Sequence, residues 1–344
     1  MSERILKYTE ALREATDQVM AQDSSVCVFG LGVTYKNGAD GTTGGLKQKY
    51  PTRVFDTPVS EHAVTGMAVG SAISGMRPIV HHGRVEFSLL AADQMFTQAA
   101  KWNYMFGGNH PVPIVIRIAV GRQWGNGPQH TQSLYGMFGS VSGLKVVIPS
   151  SPRMAKGLLI AAVRDPNPVV ILEPRWLYAL KQHVPEGIYV ENLGKAQVVQ
   201  SGKDITLVSY GDGLVSAREA LSIIGEKASV ELIDLVSINP VDHETVIASV
   251  SKTKRLMVVD TTHASFGIGS EIIAGAAKAG VLSSAPVHLS CPDVPCPTST
   301  ALTEDYYPTK VIIANTILKA MGKAPIEQTL SFEELHLAPS ITLP

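Results

Sequence analysis

Residues 53–93 read RVFDTPVSEHAVTGMAVGSAISGMRPIVHHGRVEFSLLAAD, and this stretch decides the fold. Residues 53–56, RVFD, form a short β-type run, and Thr57 before Pro58 ends it, because a residue preceding proline is pushed out of the right-handed helical region. Ser60 is a residue type that caps helices through its side-chain oxygen, and the spacing predicts a helix from Glu61 to about Ser74. Gly66, Ala68, Gly70, Ala72 and Ser74 keep that helix narrow enough for another backbone to approach closely. Residues 76–82, MRPIVHH, give a second strand, so the order is strand, helix, strand. Glu61 is the one carboxylate of the helix. It either suits the positive end of the helix dipole or is placed to hydrogen-bond a basic nitrogen of a ligand.

Outward from there the same alternation continues. Residues 4–21 carry apolar side chains at helical spacing, from Ile5 and Tyr8 to Val19. Residues 25–29, SVCVF, are a strand ending at Gly30. Gly30 and Gly32 begin a GxGxxG pattern, but Tyr35 stands where its third glycine would be, so a loop is expected instead of a dinucleotide site. Residues 33–52 are polar and glycine-rich and predict a long loop. Residues 87–101 predict a helix with an apolar face. Residues 112–118, VPIVIRI, form a nearly continuous apolar run, as expected of a strand covered on both faces. His130 and Trp124 sit in the turn-rich run GRQWGNGPQHTQS. LKVVIP is another buried strand, Pro152 opens a helix running to Arg164, and PVVILEP closes the first domain.

Strands alternating with helices resume at Asp204: ITLVSYG, a helix over 214–225, VELIDLVSI, a helix over 242–250, RLMVVD, a helix over 270–279, and VHLS. The fold class is therefore α/β, with two domains, each a mostly parallel sheet flanked by helices. The first covers 1–180, a linker 181–203, the second 204–323, and 324–344 is a tail that packs on a neighbour or stays mobile.

The bulk properties exclude several classes. The 344 residues are 45% hydrophobic and 17% charged, with a net charge of −1, so no basic field argues for nucleic acid. Cys27, Cys291 and Cys296 are too few and too unevenly spaced for a disulfide framework, and no second CxxC-type pair supports zinc. No apolar run reaches membrane length, and the charged amphipathic start is unlike a signal peptide, so a cytoplasmic protein is expected.

Several runs together resemble one family. VFDTPVSEHAVTGMAVGSAISGMRPI, FSLLAADQMFTQAAKWNYMFGG, QHTQS, SGLKVVIPSSP and AKGLLIAAVRDPNPVVILEP, in this order over roughly residues 4–322, resemble the β subunit of the thiamine-diphosphate-dependent 2-oxo acid dehydrogenases. These are the decarboxylating components of pyruvate and branched-chain complexes, within the transketolase-like superfamily. The resemblance implies a pyrimidine-binding domain followed by a transketolase C-terminal-like domain. It implies that Glu61 contacts the aminopyrimidine and exchanges a proton with it, with the cofactor as electron sink. It places Val59, Gly83 and Phe87 at the cofactor and His130 in the site as a proton donor or substrate-orienting group, with Trp124 beside it. Away from the resemblance, Phe87 reads equally as a core phenylalanine and His130 as an ordinary loop histidine.

IAAVRDPNPVV resembles the family's potassium loop, which implies K+ held mostly by backbone carbonyls of Ile114, Ala162, Asp165 and Asn167; a plain helix-to-strand turn is the alternative. Gly211-Asp212-Gly213 looks like the GDG motif that binds magnesium and diphosphate, but only Asn239 follows at about the right distance, in SINP, so it is read as a decoy. This chain then lacks half its site, and an α subunit is expected to supply the diphosphate and Mg2+ contacts, in an assembly of two α and two β chains. The resemblance leaves the acyl or aldehyde acceptor open; a lipoyl-bearing acyltransferase is one candidate.

Three departures bear on substrate. His81-His82-Gly83-Arg84 replaces an acidic and bulkier apolar stretch, IDLVSINPVD lacks two arginines, and THASFGIGSE lacks Arg-x-Gly-Gly after His263. His81 and His82 end a strand where ligands bind in parallel sheets, so one of them is expected to meet the substrate, or else both contact the α subunit. The alternatives to a 2-oxo acid dehydrogenase are a split transketolase-like or acyloin-forming carboligase, and a non-enzymatic scaffold, which the presence of Glu61 disfavours.

Overall fold

The computed structural model describes residues 4–122, 125–339 and 341–343, in two compact units. The first comprises 1–120, 137–193 and 338–344, and the second 121–136 and 194–337. Among the described residues no helix is long and apolar enough to cross a membrane.

In the first unit, β1 (Val26–Gly30), β2 (Val54–Asp56), β3 (Arg77–His82), β4 (Val115–Val120), β5 (Lys145–Val147) and β6 (Val169–Pro174) lie in the order β5-β6-β4-β3-β1-β2. Every pairing is parallel. β4 and β6 are buried at every position, which is why they read as continuous apolar runs. Helix α1 (Tyr8–Gln22) packs on the later helix Pro152–Arg164, and Lys156 of that helix, fully buried, reaches Glu14 of α1 at 2.6 Å. Helix α2 (Glu61–Ile73) packs against β3.

Three local expectations change. Ser60 occupies the cap position of α2 but makes no side-chain capping bond; its carbonyl accepts the Val64 N–H at 2.9 Å. Residues 87–101 are not one α-helix. A short turn at Val85–Ser88 and a 3-10 turn at Leu89–Ala91 lead into a π-helix at Asp93–Ala99, followed by α3 (Ala100–Met105). The wider π turn keeps Ala91, Met95, Ala99 and Ala100 buried together. The 33–52 stretch is the expected long loop, with a 3-10 turn at Ala39–Gly41 and a short helix at Leu46–Lys49, and the Thr43 hydroxyl donates to the Val33 carbonyl and accepts the Ala39 N–H. The chain end is likewise tied down, Thr342–Leu343 pairing with Lys181–His183, which also pairs with Ile5–Lys7. By contrast Ser151 caps α4 (Pro152–Arg164), accepting the Met154 N–H, with proline at the first helical turn as expected.

The second unit has β7 (Gln197–Gln200), β8 (Ile205–Ser209), β9 (Val230–Asp234), β10 (Leu256–His263) and β11 (Val287–Cys291) in the order β11-β10-β8-β9-β7. All pairs are parallel except the β7 edge. Leu207, Leu232 and Val259 of the sheet pack with α5 (Gly211–Ile224) and a helix over Lys310–Ala320. Helix α6 (His243–Thr253) is capped by Asp242, and α7 (Ile268–Lys278) packs on it. Because α5 begins at Gly211, the GDG triplet is the first turn of a helix and not a loop.

Candidate functional site

β1, β3 and β4 are in register: Gly30 at the carboxyl end of β1 pairs with His81, and His81 pairs with Arg117 in the middle of β4. A Cβ on Gly30 would lie 2.7 Å from the His81 carbonyl oxygen, so glycine is required for the strands to meet there. Side chains alternate along β3, and the two histidines point to opposite faces. Both are buried, His81 at 4% and His82 at 3% exposure.

His82 Nε2 lies 3.1 Å from the Thr65 hydroxyl of α2. Burial pushes its pKa down to about 4, so it is neutral at physiological pH. His81 shares its face with Arg117. Burial, and then the Arg117 charge, hold its pKa well below the usual histidine value. Neither His81 ring nitrogen has a partner among the described residues, nor has Arg117 Nη1. The rest of the Arg117 guanidinium grips Glu173 of β6 at 2.5 and 3.0 Å, both side chains fully buried, and the Tyr178 hydroxyl donates to the same carboxylate at 3.1 Å.

Glu61 lies one turn before Thr65 on the same face of α2. It is half-buried, and its carboxylate has no hydrogen bond or ion pair among the described residues. Around the helix start, large apolar groups are left open. Val59 is 73% exposed, and Phe87, on the turn packed against α2, is 42% exposed. Gly83 faces open space, with nothing within 4 Å of the position a Cβ would take. An unpaired carboxylate among exposed apolar side chains has the chemistry to take a heteroaromatic ring with a basic nitrogen, and a pyrimidine is such a ring. The described residues include no group of three or more His, Cys, Asp or Glu able to hold a metal.

In the same unit, the carbonyl of Ile114 accepts from Val169 N and that of Ala162 from Asp165 N. Asp165 pairs with Lys145, its other oxygen accepts the Asn167 N–H, and Asn167 Oδ1 accepts from Asn103 Nδ2 at 2.8 Å. Arg77 donates to the Val163 and Asp165 carbonyls, so two resident cations already sit at this turn. A cavity of about 530 Å3 opens beside it, lined by Asn103, Leu144, Lys145, Asn167 and Pro168 among others.

His130 belongs to the second unit. It is half-buried in the 121–136 segment, where Gly121 N–H donates to the Gln132 carbonyl at 2.9 Å and the Thr131 hydroxyl to Gly127 at 2.7 Å. Trp124 lies outside the described residues. Asp212 is buried and paired with Arg122, whereas the sequence reading gave it no role. Thr65, Arg117 and Glu173 also went unnoticed, although a lone arginine in VPIVIRI and a lone glutamate in VVILEP are the signal of a buried ion pair.

Comparison with known proteins places the chain. Residues 5–181 match the transketolase pyrimidine-binding domain and residues 194–313 the transketolase C-terminal domain. The acetoin:2,6-dichlorophenolindophenol oxidoreductase subunit beta of Cupriavidus necator is 40% identical over 336 residues, covering 92% of this chain and 98% of that protein. Its Bacillus subtilis counterpart is 36% identical, covering 93% and 98%. The pyruvate dehydrogenase E1 component subunit beta of Acholeplasma laidlawii is 41% identical over 298 residues, covering 85% and 91%. A solved split-gene transketolase, described as an inactive beta4 tetramer, superposes with a TM-score of 0.74 at 20% identity, covering 92% of this chain and 98% of that one.

Proposed function

Because the chain belongs to the family of β subunits of thiamine-diphosphate-dependent 2-oxo acid dehydrogenases, within the transketolase-like proteins, we propose that it supplies the pyrimidine-binding half of an active site completed by an α subunit. The observation that carries this reading is Glu61, half-buried at the start of a narrow helix with no partner of its own. Thiamine diphosphate, when bound, supplies an electron sink for cleaving the bond beside a carbonyl.

Glu61 exchanges a proton with the pyrimidine nitrogen, and Val59 and Phe87 cover the ring while Gly83 leaves room for it. His130 moves a proton on the substrate side or orients the substrate. One of His81 and His82, at the end of β3, faces the substrate side, and His82 is held through Thr65 of α2. The α subunit holds the diphosphate and Mg2+, in a tetramer of two α and two β chains. The substrate is a 2-oxo acid, and the acyl group passes to a lipoyl-bearing acyltransferase. Potassium is held by the carbonyls of Ile114, Ala162, Asp165 and Asn167, that of Asp165 shared with the resident Arg77; exchanging K+ for Na+ lowers the melting temperature if so, and an unchanged melt rejects the ion.

A second reading is cleavage of an acyloin. It draws on the two acetoin oxidoreductase β subunits, which align over almost their whole length. The experiment is to assemble the chain with its α subunit and assay pyruvate, a branched 2-oxo acid and acetoin with dichlorophenolindophenol as electron acceptor. Dye reduction with the 2-oxo acids supports the first reading. Reduction with acetoin alone supports the second, and none with any of them from an intact assembly rejects both.

A further inference from the structure

The Gly211–Asp212–Gly213 triplet has no part in the function proposed above, yet its carboxylate is one of the most enclosed in the second unit. Asp212 is 5% exposed in the first turn of α5. Its carboxylate accepts the Thr261 hydroxyl at 3.2 Å and faces Arg122 Nε at 3.5 Å. Burial pushes its pKa up and the Arg122 charge pulls it back. Arg122 is itself largely buried, with its guanidinium 4.7 Å from the centre of the Tyr307 ring. The neighbouring Asp260 is engaged elsewhere, by Tyr210, Thr262 and the Gly269 N–H.

Arg122 stands at the start of the 121–136 segment that carries His130. The far end of that segment is also held within the second unit. Tyr135 packs edge-on against Tyr210 at 5.4 Å, and a Cβ on Gly136 would lie 2.1 Å from the Phe266 carbonyl oxygen. Between the two ends the segment closes on itself through the Gly121–Gln132 bond. The aromatic and glycine contacts hold the exit of the segment, and at its entry Arg122 Nε faces Asp212 at 3.5 Å as an ion pair without a hydrogen bond.

We propose that Asp212 is a positioning residue: acting through Arg122, it holds the segment that carries His130 and thereby sets where His130 stands for the reaction. A carboxylate in a position that resembles a diphosphate and metal motif serves here as an internal clamp. The proposal rests on the reading of His130 as a catalytic group. Breaking a buried ion pair is costly because it leaves the other charge unpaired.

The test is amide hydrogen exchange on the full-length chain, comparing the native protein with Asp212→Asn, Arg122→Gln and the double variant. Exchange within 121–136 should rise about tenfold or more in each single variant and no further in the double, while β8 and β10 stay protected. In the enzyme assembled with its α subunit, kcat should fall about tenfold with KM nearly unchanged, and Asp212→Glu should recover part of it. Arg122→Gln lies outside the sheet and helices, so it keeps the question open to test if Asp212→Asn does not fold. Unchanged exchange in both single variants overturns the clamp. So does raised exchange with native kcat while His130→Ala is inactive. Raised exchange with a fully active His130→Ala supports the clamp and overturns the catalytic assignment of His130 instead.

Discussion

Glu61 and Asp212 occupy equivalent places in the two units. Each is a carboxylate in the first turn of a helix that packs on a parallel sheet. Their surroundings differ completely. Glu61 is half-buried and unpaired among exposed apolar side chains, whereas Asp212 is enclosed, hydrogen-bonded by Thr261 and paired with Arg122. A buried charge must be partnered, so the second unit has spent its carboxylate on its own architecture. The first unit leaves its carboxylate without a partner among the described residues. On the function proposed above, one helix start is a ligand half-site and the other scaffold, although both sheets have the same class of topology.

The comparison breaks first at Glu61. Glu61→Gln should lower turnover of the assembled enzyme by about 10²–10⁴-fold, the usual scale for losing a proton-exchanging group. Its melting curve should shift little, because the side chain has no partner to lose; a large stability loss would make Glu61 structural, like Asp212.

Next comes the buried pair of the first unit. Arg117→Met strands Glu173 at zero exposure and should cost about 3–5 kcal/mol in urea unfolding, with the Arg117→Met, Glu173→Leu double variant recovering much of it. A cost near zero would show that Arg117 and Glu173 do not hold one another.

His82 gives a pH signature. Burial holds its folded pKa at about 4, below the ordinary histidine value of about 6.5. The unfolded chain therefore binds a proton first, and stability should fall as pH drops from about 6.5 towards 4. Above that window the group contributes no pH dependence. His82→Phe should flatten part of this slope, with His81, shifted the same way, retaining the rest; an unaltered slope would place the titrating group elsewhere.

The smallest contrast is between two caps. Ser151→Ala should cost about 1 kcal/mol, and Ser60→Ala much less, since only Ser151 accepts an N–H of its helix. Equal costs would contradict the cap geometry.

The alternation of strands and helices was legible in the sequence because β4 and β6 are covered on both faces and α4 carries its own start signals. The 87–101 stretch was misread because apolar periodicity does not distinguish α from π winding. Ser60 was assigned a cap from its type, but the hydroxyl's direction depends on the incoming backbone. Glu61 stood out because it is a lone charge in an apolar helix. Arg117 and Glu173 carry the same signal, but their pairing depends on β4 and β6 being neighbours across 56 residues of chain, which the sequence does not display. The Asp212–Arg122 pair joins residues even further apart, so its motif alone pointed to the wrong role.

The most direct measurement is proton–deuterium exchange at the reactive thiazolium carbon of thiamine diphosphate bound to the assembled enzyme, native against Glu61→Gln. Exchange should be fast in the native enzyme and slowed by orders of magnitude in the variant, with cofactor still bound. Native-rate exchange in Glu61→Gln would contradict the assignment of Glu61 as the group that activates the cofactor.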